Sequence, residues 1–533
     1  MPRPRPRPRP RPERAAVGLA RRSVTRGALA LCAVLALMLI AILSSYEQVG
    51  AAAGSLESLA GNPAFRALYG QPFDITTAGG FAVWRVGQFL LAIAGLWAVM
   101  STTRLLRGEE ESGRWDLLLT APIARHRLML ADVAVQAGAC CVAGLVAALV
   151  FVVTGEPAGG AALFGAGVAL LALTFVAVGS LTSQLFGQRR RAAGYGGMAL
   201  GAAFLLRMVI DGLSGPRWLA WLTPFGWVEE LRPFAGNRLA PLVPLVLAPA
   251  AIGLLAFRLS RYRDLGDGIF RDPDTAAPKL GSLRTPVRFA FRERTAGLLG
   301  WGGGLAALGL VDGIVTGAFT DFLSTNAEFQ RVIAQAGFAD LATVGGFVAT
   351  LATFAALVIG LYFVSSMHVL GEDEEAGRLD LVYATRVTRA DWLGSQTLTT
   401  ALIGLVLAVV AAVATWVGVV SGSATLSFVD SLAAVANMLP IVALVLGVAL
   451  LAHGLHPGLV VPAAGGALVG SYVIGFLGPA FKLPNWALDL SPFHHVSLVP
   501  VEPVAWKAVA VMLDLALLAG AAGAFAYSRR DLR

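Results

Sequence analysis

The chain has 533 residues, of which 56% are hydrophobic and only 14% charged, and its formal net charge is +8. This balance excludes an ordinary soluble domain, because the apolar residues form long runs that contain few charges. A membrane-spanning helix needs about 20 apolar residues, so the length accommodates about twelve such helices with their loops. The runs are continuous rather than alternating, which favours helices over an outer-membrane barrel. The predicted fold class is therefore all-α integral membrane.

The chain begins with a basic segment, residues 1–26, that opens with an Arg-Pro alternation. Such a sequence cannot pack a core, so we predict a disordered tail followed by a helix on the cytoplasmic membrane surface, Glu13 to Arg26. A cleaved signal peptide is the alternative, with small residues at 51 and 53 as the cleavage pattern. The second half opens in the same way in mid-chain, with Arg288 and Arg294 before an apolar run, which argues against a signal.

The apolar runs predict two repeated six-helix units. The first unit, residues 27–258, has spans near residues 27–45, 81–103, 129–153, 160–185, 193–213 and 241–258. The second unit, residues 296–527, has spans near residues 296–316, 344–368, 395–420, 430–452, 457–478 and 504–527. A cytoplasmic linker with its own surface helix, residues 259–295, joins the units, and residues 528–533 form a cytoplasmic tail.

The distribution of arginine predicts the orientation. Arginine-rich segments alternate along the chain with poorly basic loops, and the two ends of the chain fall in the arginine-rich set. By the positive-inside rule both termini are cytoplasmic. The excess positive charge then reflects this sidedness and attraction to anionic lipid, and no nucleic-acid partner is expected.

Two short charged segments of nearly the same sequence interrupt the apolar runs after the second span of each unit. The first contains Glu110, Glu111, Gly113, Arg114, Trp115, Asp116 and Leu117, and the second contains Glu374, Glu375, Gly377, Arg378, Asp380 and Leu381. Arg125 and Arg389 follow at matching positions. A solvated loop explains one copy, but orientation does not require acidic residues. Their recurrence in register suggests that a protein partner contacts both segments.

Each charged segment has the spacing of a short amphipathic helix. Trp115, Leu118 and Leu119 stand at positions i, i+3 and i+4. The matching positions of the second copy are Leu379, Val382 and Tyr383. Glu110 precedes Arg114 by four residues, which allows a helical ion pair, although the glycine between them makes a turn equally plausible.

With these features the chain resembles the membrane subunits of the type-2 ABC permease family, particularly the fused, double-length exporters associated with drug and polyketide antibiotic efflux. The resemblance rests on the two charged segments, the basic stretch before each unit, and two short aromatic segments before the last span of each unit, residues 218–228 and 486–496. It implies that residues 109–125 and 373–389 are coupling segments. In that family, such segments sit in a cleft of a separate ATPase subunit.

The resemblance also implies where the energy source lies. The chain has no Gly-x-x-x-x-Gly-Lys-Ser/Thr phosphate loop, and its three lysines, Lys279, Lys482 and Lys507, lack the neighbouring glycines of such a loop. We therefore expect no catalytic residue, metal site or cofactor on this chain. ATP and Mg are expected on a partner ATPase, present in two copies, one for each coupling segment.

Charged residues within the predicted spans give the only indication of a cargo path. Arg207 and Asp211 lie at i and i+4 in the fifth span, where they form either part of a substrate path or a structural ion pair near the outer interface. The otherwise apolar spans suit a hydrophobic or amphipathic small molecule in contact with membrane lipid. The resemblance implies export across the bacterial plasma (inner) membrane.

Two other function classes remain open at this stage. A proton-coupled secondary multidrug transporter also has about twelve helices in two halves, although that class typically has a basic cluster where this chain has Glu110 and Glu111. A membrane-embedded enzyme is the second alternative, and it would be expected to show a polar constellation within the spans. The sequence has no His-Glu-x-x-His motif and no clustered aspartates.

Overall fold

The computed structural model describes residues 12–50, 63–120, 123–212, 216–270, 285–325, 327, 330–331, 339–375, 377–422, 424–477 and 483–530. Its contacts divide the chain into two compact units, Met1–Ala276 and Ala277–Arg533. The division lies within the predicted linker, residues 259–295. The predicted Arg-Pro tail up to residue 11 and the last three residues lie outside the described residues.

The described residues form helices and no named β-strand, which confirms the predicted all-α class. The helices of the first unit are α1 (Pro12–Gly50), α2 (Pro63–Tyr69), α3 (Ala78–Thr103), α4 (Glu109–Glu111), α5 (Arg114–Leu119), α6 (Arg125–Val153), α7 (Ala158–Leu185), α8 (Arg189–Gly212), α9 (Pro224–Glu230) and α10 (Leu242–Ser260). The helices of the second unit are α11 (Pro286–Thr325), α12 (Val344–Glu375), α13 (Leu379–Tyr383), α14 (Arg389–Ser421), α15 (Phe428–Ala436), α16 (Leu439–Leu455), α17 (Gly466–Leu477), α18 (Asn485–Leu488) and α19 (Trp506–Arg529).

Twelve helical segments among the described residues are long and apolar enough to cross a membrane. They are Val17–Ser44, Ala78–Glu111, Arg125–Val153, Ala158–Leu185, Arg189–Gly212, Leu242–Ser260, Gly297–Thr325, Val344–Glu374, Arg389–Ser421, Phe428–Leu455, Pro457–Gly475 and Trp506–Arg529. We number them spans one to twelve in chain order. Each overlaps one predicted span, because an apolar run of this length is the strongest structural signal in a membrane sequence.

The two predicted surface helices are not separate elements. In the first unit, α1 runs without a break from the basic stretch into span one, and in the second unit α11 does the same into span seven. No proline follows the first residues of either helix, so no residue removes a backbone donor where the predicted surface helix would end.

Glycines allow close packing inside each unit. Span four packs against spans two, three and six, and a Cβ atom on Gly144 of span three would lie only 2.3 Å from the carbonyl oxygen of Gly165. In the second unit, a Cβ on Gly454 of span ten would lie 2.2 Å from the carbonyl oxygen of Gly523 in span twelve. Membrane helices pack through such small residues because lipid supplies no hydrophobic drive between them.

The aromatic segments before spans six and twelve form short helices. In the first unit a 3-10 helix, Arg217–Leu222, leads into α9, which begins where the Thr223 hydroxyl accepts a 3.0 Å hydrogen bond from the Gly226 amide. In the second unit, α18 is followed by a 3-10 helix, Pro492–His494. As predicted, these segments are too short and too interrupted by proline to span a bilayer.

Candidate functional site

Both charged segments reverse direction at a glycine in the left-handed region. Gly113 has φ of +71° and Gly377 has φ of +68°, a conformation that other residues adopt at a cost. In the first unit, α3 passes through a π-helical turn, Arg104–Gly108, into α4, and α5 begins directly after Gly113. The glycine in each copy therefore ends the span and redirects the chain into a short helix.

In the first unit, Glu110 is buried among guanidinium groups. Its Oε2 lies 2.5 Å from Nη2 of Arg263 and 3.1 Å from Nη1 of Arg107, and its Oε1 lies 2.9 Å from Nη1 of Arg263. The Gly266 amide donates to Oε1 at 2.8 Å. A buried carboxylate needs such partners because it has lost its hydration. The contacts fasten the end of span two to the chain that leaves span six.

The second unit repeats this arrangement, with fewer partners among the described residues. Glu374 accepts hydrogen bonds of 2.5 Å on both carboxylate oxygens from Nη2 of Arg530, which follows span twelve. His453 Nε2 lies 3.8 Å from Glu374 Oε2. We call the two arrangements the first and second clamps: Glu110 with Arg263, and Glu374 with Arg530.

A second arginine supports each clamp in the same way. Arg125 donates through Nη1 to the Arg263 carbonyl oxygen at 2.8 Å, and Arg389 donates through Nη1 to the Arg530 carbonyl oxygen at 2.8 Å. Arg125 and Arg389 begin spans three and nine. Each clamp therefore joins three spans of its own unit at one end: the second, third and sixth in the first unit, and the eighth, ninth and twelfth in the second.

The first clamp has an additional cation. Arg107 donates through Nε to the Gly187 carbonyl oxygen at 2.7 Å and through Nη1 to the Asp267 carbonyl oxygen at 3.1 Å. Gly371 occupies the matching position of the second unit, where a Cβ atom would lie 2.8 Å from Pro457. The crowded glycine leaves no room for an arginine, so the two clamps differ.

Of the two alternatives for Glu110 and Arg114, a helical ion pair or a turn at the glycine between them, the structure shows the turn. Arg114 instead pairs with Glu109 at 2.9 Å, and in the second copy Arg378 pairs with Asp373. The left-handed glycine interrupts the helix between the charged residues, so the i, i+4 relationship is lost. Glu110 is left on the inward side, where it meets Arg263.

The short helix α5 has one face against the protein and one face open. Trp115 is 3% exposed and packs with Leu106, Met129 and Ala256, whereas Leu117 is 74% exposed. Glu111, Arg114 and Asp116 are also on the open side, although Glu111 Oε1 accepts a 2.5 Å hydrogen bond from the Arg189 amide at the start of span five.

In α13, Leu379 is buried and Asp380 is exposed, and Arg378, directly before the helix, is exposed as well. Glu375 and Leu381 were predicted for the same site, and their side chains lie outside the described residues. The two copies thus share an inward apolar residue and outward charges.

Arg207 and Asp211 form an ion pair of 3.2 Å in span five, and both side chains are buried. The sequence did not indicate the third member of this cluster, Glu229 of α9, which is buried beside them and accepts a 2.7 Å hydrogen bond from the Gln71 amide on Oε1. Burial, and next the Asp211 carboxyl group, raise the pKa of Glu229 well above its ordinary value. Glu229 lies 18 positions after Asp211 and in a separate helix, so no local sequence pattern predicts that the two residues are neighbours.

The second unit contains an apolar cavity of about 320 Å³ between spans ten and eleven. Residues of its lining include Ile441, Val445, Leu468 and Ile474, and Ser471 is the polar side chain among the residues around it. Among the described residues of the chain, no group of three or more His, Cys, Asp or Glu side chains is placed to hold a metal ion.

Comparisons with known proteins give two matches. The family model described as the multidrug efflux system permease Rv1217c, C-terminal domain, matches residues 14–258 and 283–528. The multidrug efflux system permease protein Rv1217c of Mycobacterium tuberculosis is 31% identical to this chain over 500 residues, which cover 92% of this chain and 88% of that protein.

Proposed function

The chain belongs to the multidrug efflux system permease family represented by Rv1217c, and we propose that it is the membrane subunit of an ATP-driven exporter of the ABC class. In this proposal the two charged segments, residues 109–125 and 373–389, receive separate ATPase subunits on the cytoplasmic side. The complex would export a hydrophobic or amphipathic small molecule, drug-like or antibiotic-like, across the bacterial plasma membrane.

The clamps are the observation that carries the proposal. A segment that transmits force needs an open face for a partner and a firm attachment to the spans. Leu117 and Asp116 provide the open face, and Glu110 with Arg263 provides the attachment. Buried ion pairs with several hydrogen bonds resist separation, because removing one partner leaves an uncompensated charge.

A mechanism follows from this attachment. When ATP closes the two partner subunits, each one displaces its charged segment. Because Glu110 is hydrogen-bonded to Arg263, a movement of the end of span two also moves the start of the linker. Arg125 donates to the Arg263 carbonyl oxygen and couples span three to the same movement. The second clamp does the same through Glu374 and Arg530. Two packed arrangements of each unit, inward-open and outward-open, would be the states that ATP binding biases.

The sequence supports a separate energy source. It has no phosphate loop for ATP, so the chain itself is proposed not to be an enzyme, and ATP with Mg would bind to the partner subunit. Two charged segments on one chain suggest two copies of that subunit.

The cargo class is supported by two separate features, one in each unit. The cavity beside Ile441 and Leu468 suits an apolar group, and the Arg207, Asp211 and Glu229 cluster offers polar contacts. An amphipathic molecule has both kinds of group.

Reconstitution tests the proposal. The chain and its candidate ATPase are purified together, and cargo-stimulated ATP turnover is measured in proteoliposomes for wild type and for Asp116→Arg with Leu117→Arg. We expect loss of assembly or of stimulated turnover, because the open face of α5 gains two positive charges and loses one negative charge. Leu239→Arg is the control, since Leu239 is 66% exposed outside the charged segments and should tolerate the same change.

The proton-coupled transporter is the competing outcome. If the chain binds no ATPase and moves cargo on a proton gradient alone, the ABC proposal is wrong. If an ATPase binds equally well to the doubly substituted chain, residues 109–125 are not the contact surface.

A further inference from the structure

A small cavity in the first unit lies beside Glu229. Its volume is about 30 Å³, enough for a group of the size of one or two water molecules. Tyr69, Trp84 and Phe164 contribute aromatic walls, and Gln88 and Glu229 contribute polar atoms to the lining. The cavity belongs to neither clamp, and Glu229 is the member of the cluster with Arg207 and Asp211 that lines it.

Two buried hydrogen-bond acceptors in this lining have no donor among the described residues, and one buried donor of the lining, Nε of Arg232, has no acceptor among them. Gln88 is 5% exposed and its Oε1 accepts no hydrogen bond, and Glu229 is 9% exposed and its Oε2 accepts none. The other oxygen of Glu229 is occupied by the Gln71 amide at 2.7 Å. Buried acceptors in native proteins are nearly always satisfied, so an occupant with a donor is expected here.

The arginines around Glu229 form their ion pairs with other carboxylates, although the charge of Arg207 still acts on Glu229 and the Glu229 carboxyl group is hydrogen-bonded to Asp211. Arg207 is paired with Asp211, and both Arg217 and Arg232 are paired with Glu230, at 2.6 and 2.9 Å. None of the ion pairs between described residues includes Glu229. A buried carboxylate without an ion-pair partner is unfavourable, so Glu229 holds a proton when the cavity contains no cation.

We propose that this cavity binds the primary ammonium group of an amphipathic cargo, with Glu229 and Gln88 as the acceptors and with Tyr69 and Trp84 as aromatic walls. The ammonium group has three donors and matches two unsatisfied acceptors, and the Trp84 ring in the lining attracts a cation, whereas the Tyr69 ring already carries the Arg85 guanidinium at 4.4 Å. A primary ammonium group is close to a water molecule in size and fits the cavity volume of about 30 Å³. That the ligand is a cargo rests on the proposed export function.

Binding of an ammonium group displaces the proton of Glu229. The proton goes to the solvent, and the carboxylate is then compensated by the ligand charge. Burial raises the pKa of Glu229, so the exchange of its proton for the ammonium group occurs at a higher pH than the ordinary pKa of a glutamate. The charged and titratable groups around Glu229 and the cavity are Asp211, Arg207, Arg217, Arg232, Arg85 and Tyr69.

Calorimetry on the complete chain tests the site without any ATPase. The protein in phosphatidylcholine nanodiscs is titrated with n-butylammonium chloride and, separately, with n-butanol, at pH 8 in two buffers of different ionisation enthalpy. For wild type we expect saturable binding of butylammonium, release of up to one proton per ligand, and binding of butanol about tenfold weaker or less. The affinity for butylammonium should fall as the pH is lowered.

Glu229→Gln is the decisive variant, because the amide keeps the shape and removes the charge. We expect butylammonium binding to weaken about tenfold or more and proton release to disappear. Glu502→Gln, at an exposed carboxylate of the second unit, is the control and should match wild type. Size-exclusion profiles establish that both variants are folded.

Equal affinities of wild type and Glu229→Gln for butylammonium, or equal affinities of wild type for butylammonium and butanol, would overturn the inference and leave water as the occupant. Because no ATPase is present, this result is independent of whether the chain works as an ABC exporter.

Discussion

Glu110 and Arg263 lie 153 positions apart in the chain and meet at 2.5 Å in a buried ion pair. The contact places the end of span two and the chain after span six in one rigid group. Glu374 and Arg530, 156 positions apart, form the corresponding contact in the second unit, also at 2.5 Å. The open faces of the two charged segments are therefore attached to the spans by the same chemistry.

Removing the charge of Glu110 should destabilise the first unit. In Glu110→Gln, the guanidinium groups of Arg263 and Arg107 remain buried without a counter-charge, and we expect a loss of about 3 kcal/mol in the free energy of unfolding. Thermal unfolding in detergent measures the change. Glu109→Gln is the matched control, because Glu109 pairs with an Arg114 side chain that is 66% exposed and the pair should contribute less than about 1 kcal/mol. Equal shifts in the two variants would show that the first clamp does not stabilise the unit.

The two clamps should differ in tolerance to loss of their main arginine. Arg263→Ala leaves Glu110 with Arg107 at 3.1 Å and Arg125 at 3.7 Å. Arg530→Ala leaves Glu374 with the imidazole of His453 at 3.8 Å among the described residues, a group that is charged only when it is protonated. We therefore expect hydrogen exchange to accelerate more at residues 374–383 in Arg530→Ala than at residues 110–119 in Arg263→Ala. The opposite order would mean that Arg107 does not compensate for Arg263.

Alanine at the reversing glycine should strain both charged segments. Gly113→Ala and Gly377→Ala place a side chain at φ of +71° and +68°, and each should cost about 1 kcal/mol. Cargo-stimulated turnover should fall, because the short helix after the glycine no longer sits at its native angle. Gly138→Ala is the control: its Cβ would meet nothing within 4 Å and it lies within α6, so it should be neutral or slightly stabilising. A similar loss in the control would point to a general effect of alanine substitution.

The sequence was sufficient to predict the twelve spans and the two charged segments. A long apolar run in a membrane protein predicts a helix. The repeated Glu-Glu, Gly-Arg and Asp-Leu pairs are recognisable because they are charged segments between such apolar runs. The burial of Trp115 follows from its helical spacing with Leu118 and Leu119. These features depend on residues that are neighbours in the chain.

The partners of Glu110 and Asp211 could not be predicted in the same way. Arg263 and Glu229 reach them through tertiary packing, and nothing in the local spacing selects them from the other charged residues. One signal was present: an Arg-Asp-Leu sequence follows the last span of each unit, beginning at Arg263 and at Arg530. Both this sequence and the pair of glutamates recur in the second unit. The joint recurrence would have been a reason to pair Glu110 with Arg263 and Glu374 with Arg530.

Glu229 should make the stability of the chain depend on pH. Its pKa in the folded protein is raised, chiefly by burial, above the ordinary value of 4.5. Below pH 4.5 the carboxyl is protonated in both the folded and the unfolded chain, so it imposes no penalty. Between that pH and the folded pKa, only the folded chain holds the proton, and stability falls as the pH rises, by at most about 1.4 kcal/mol per pH unit.

Comparing wild type with Glu229→Gln isolates this contribution. The difference between their unfolding midpoints, measured from pH 4 to pH 9 without ligand, should shift in favour of the variant as the pH rises, because glutamine has no proton to lose. Glu502→Gln should track wild type over the same range. A difference that stays constant with pH would mean that Glu229 titrates normally in the folded chain, and that its carboxylate is compensated by Arg207 in spite of the 3.2 Å pair between Arg207 and Asp211.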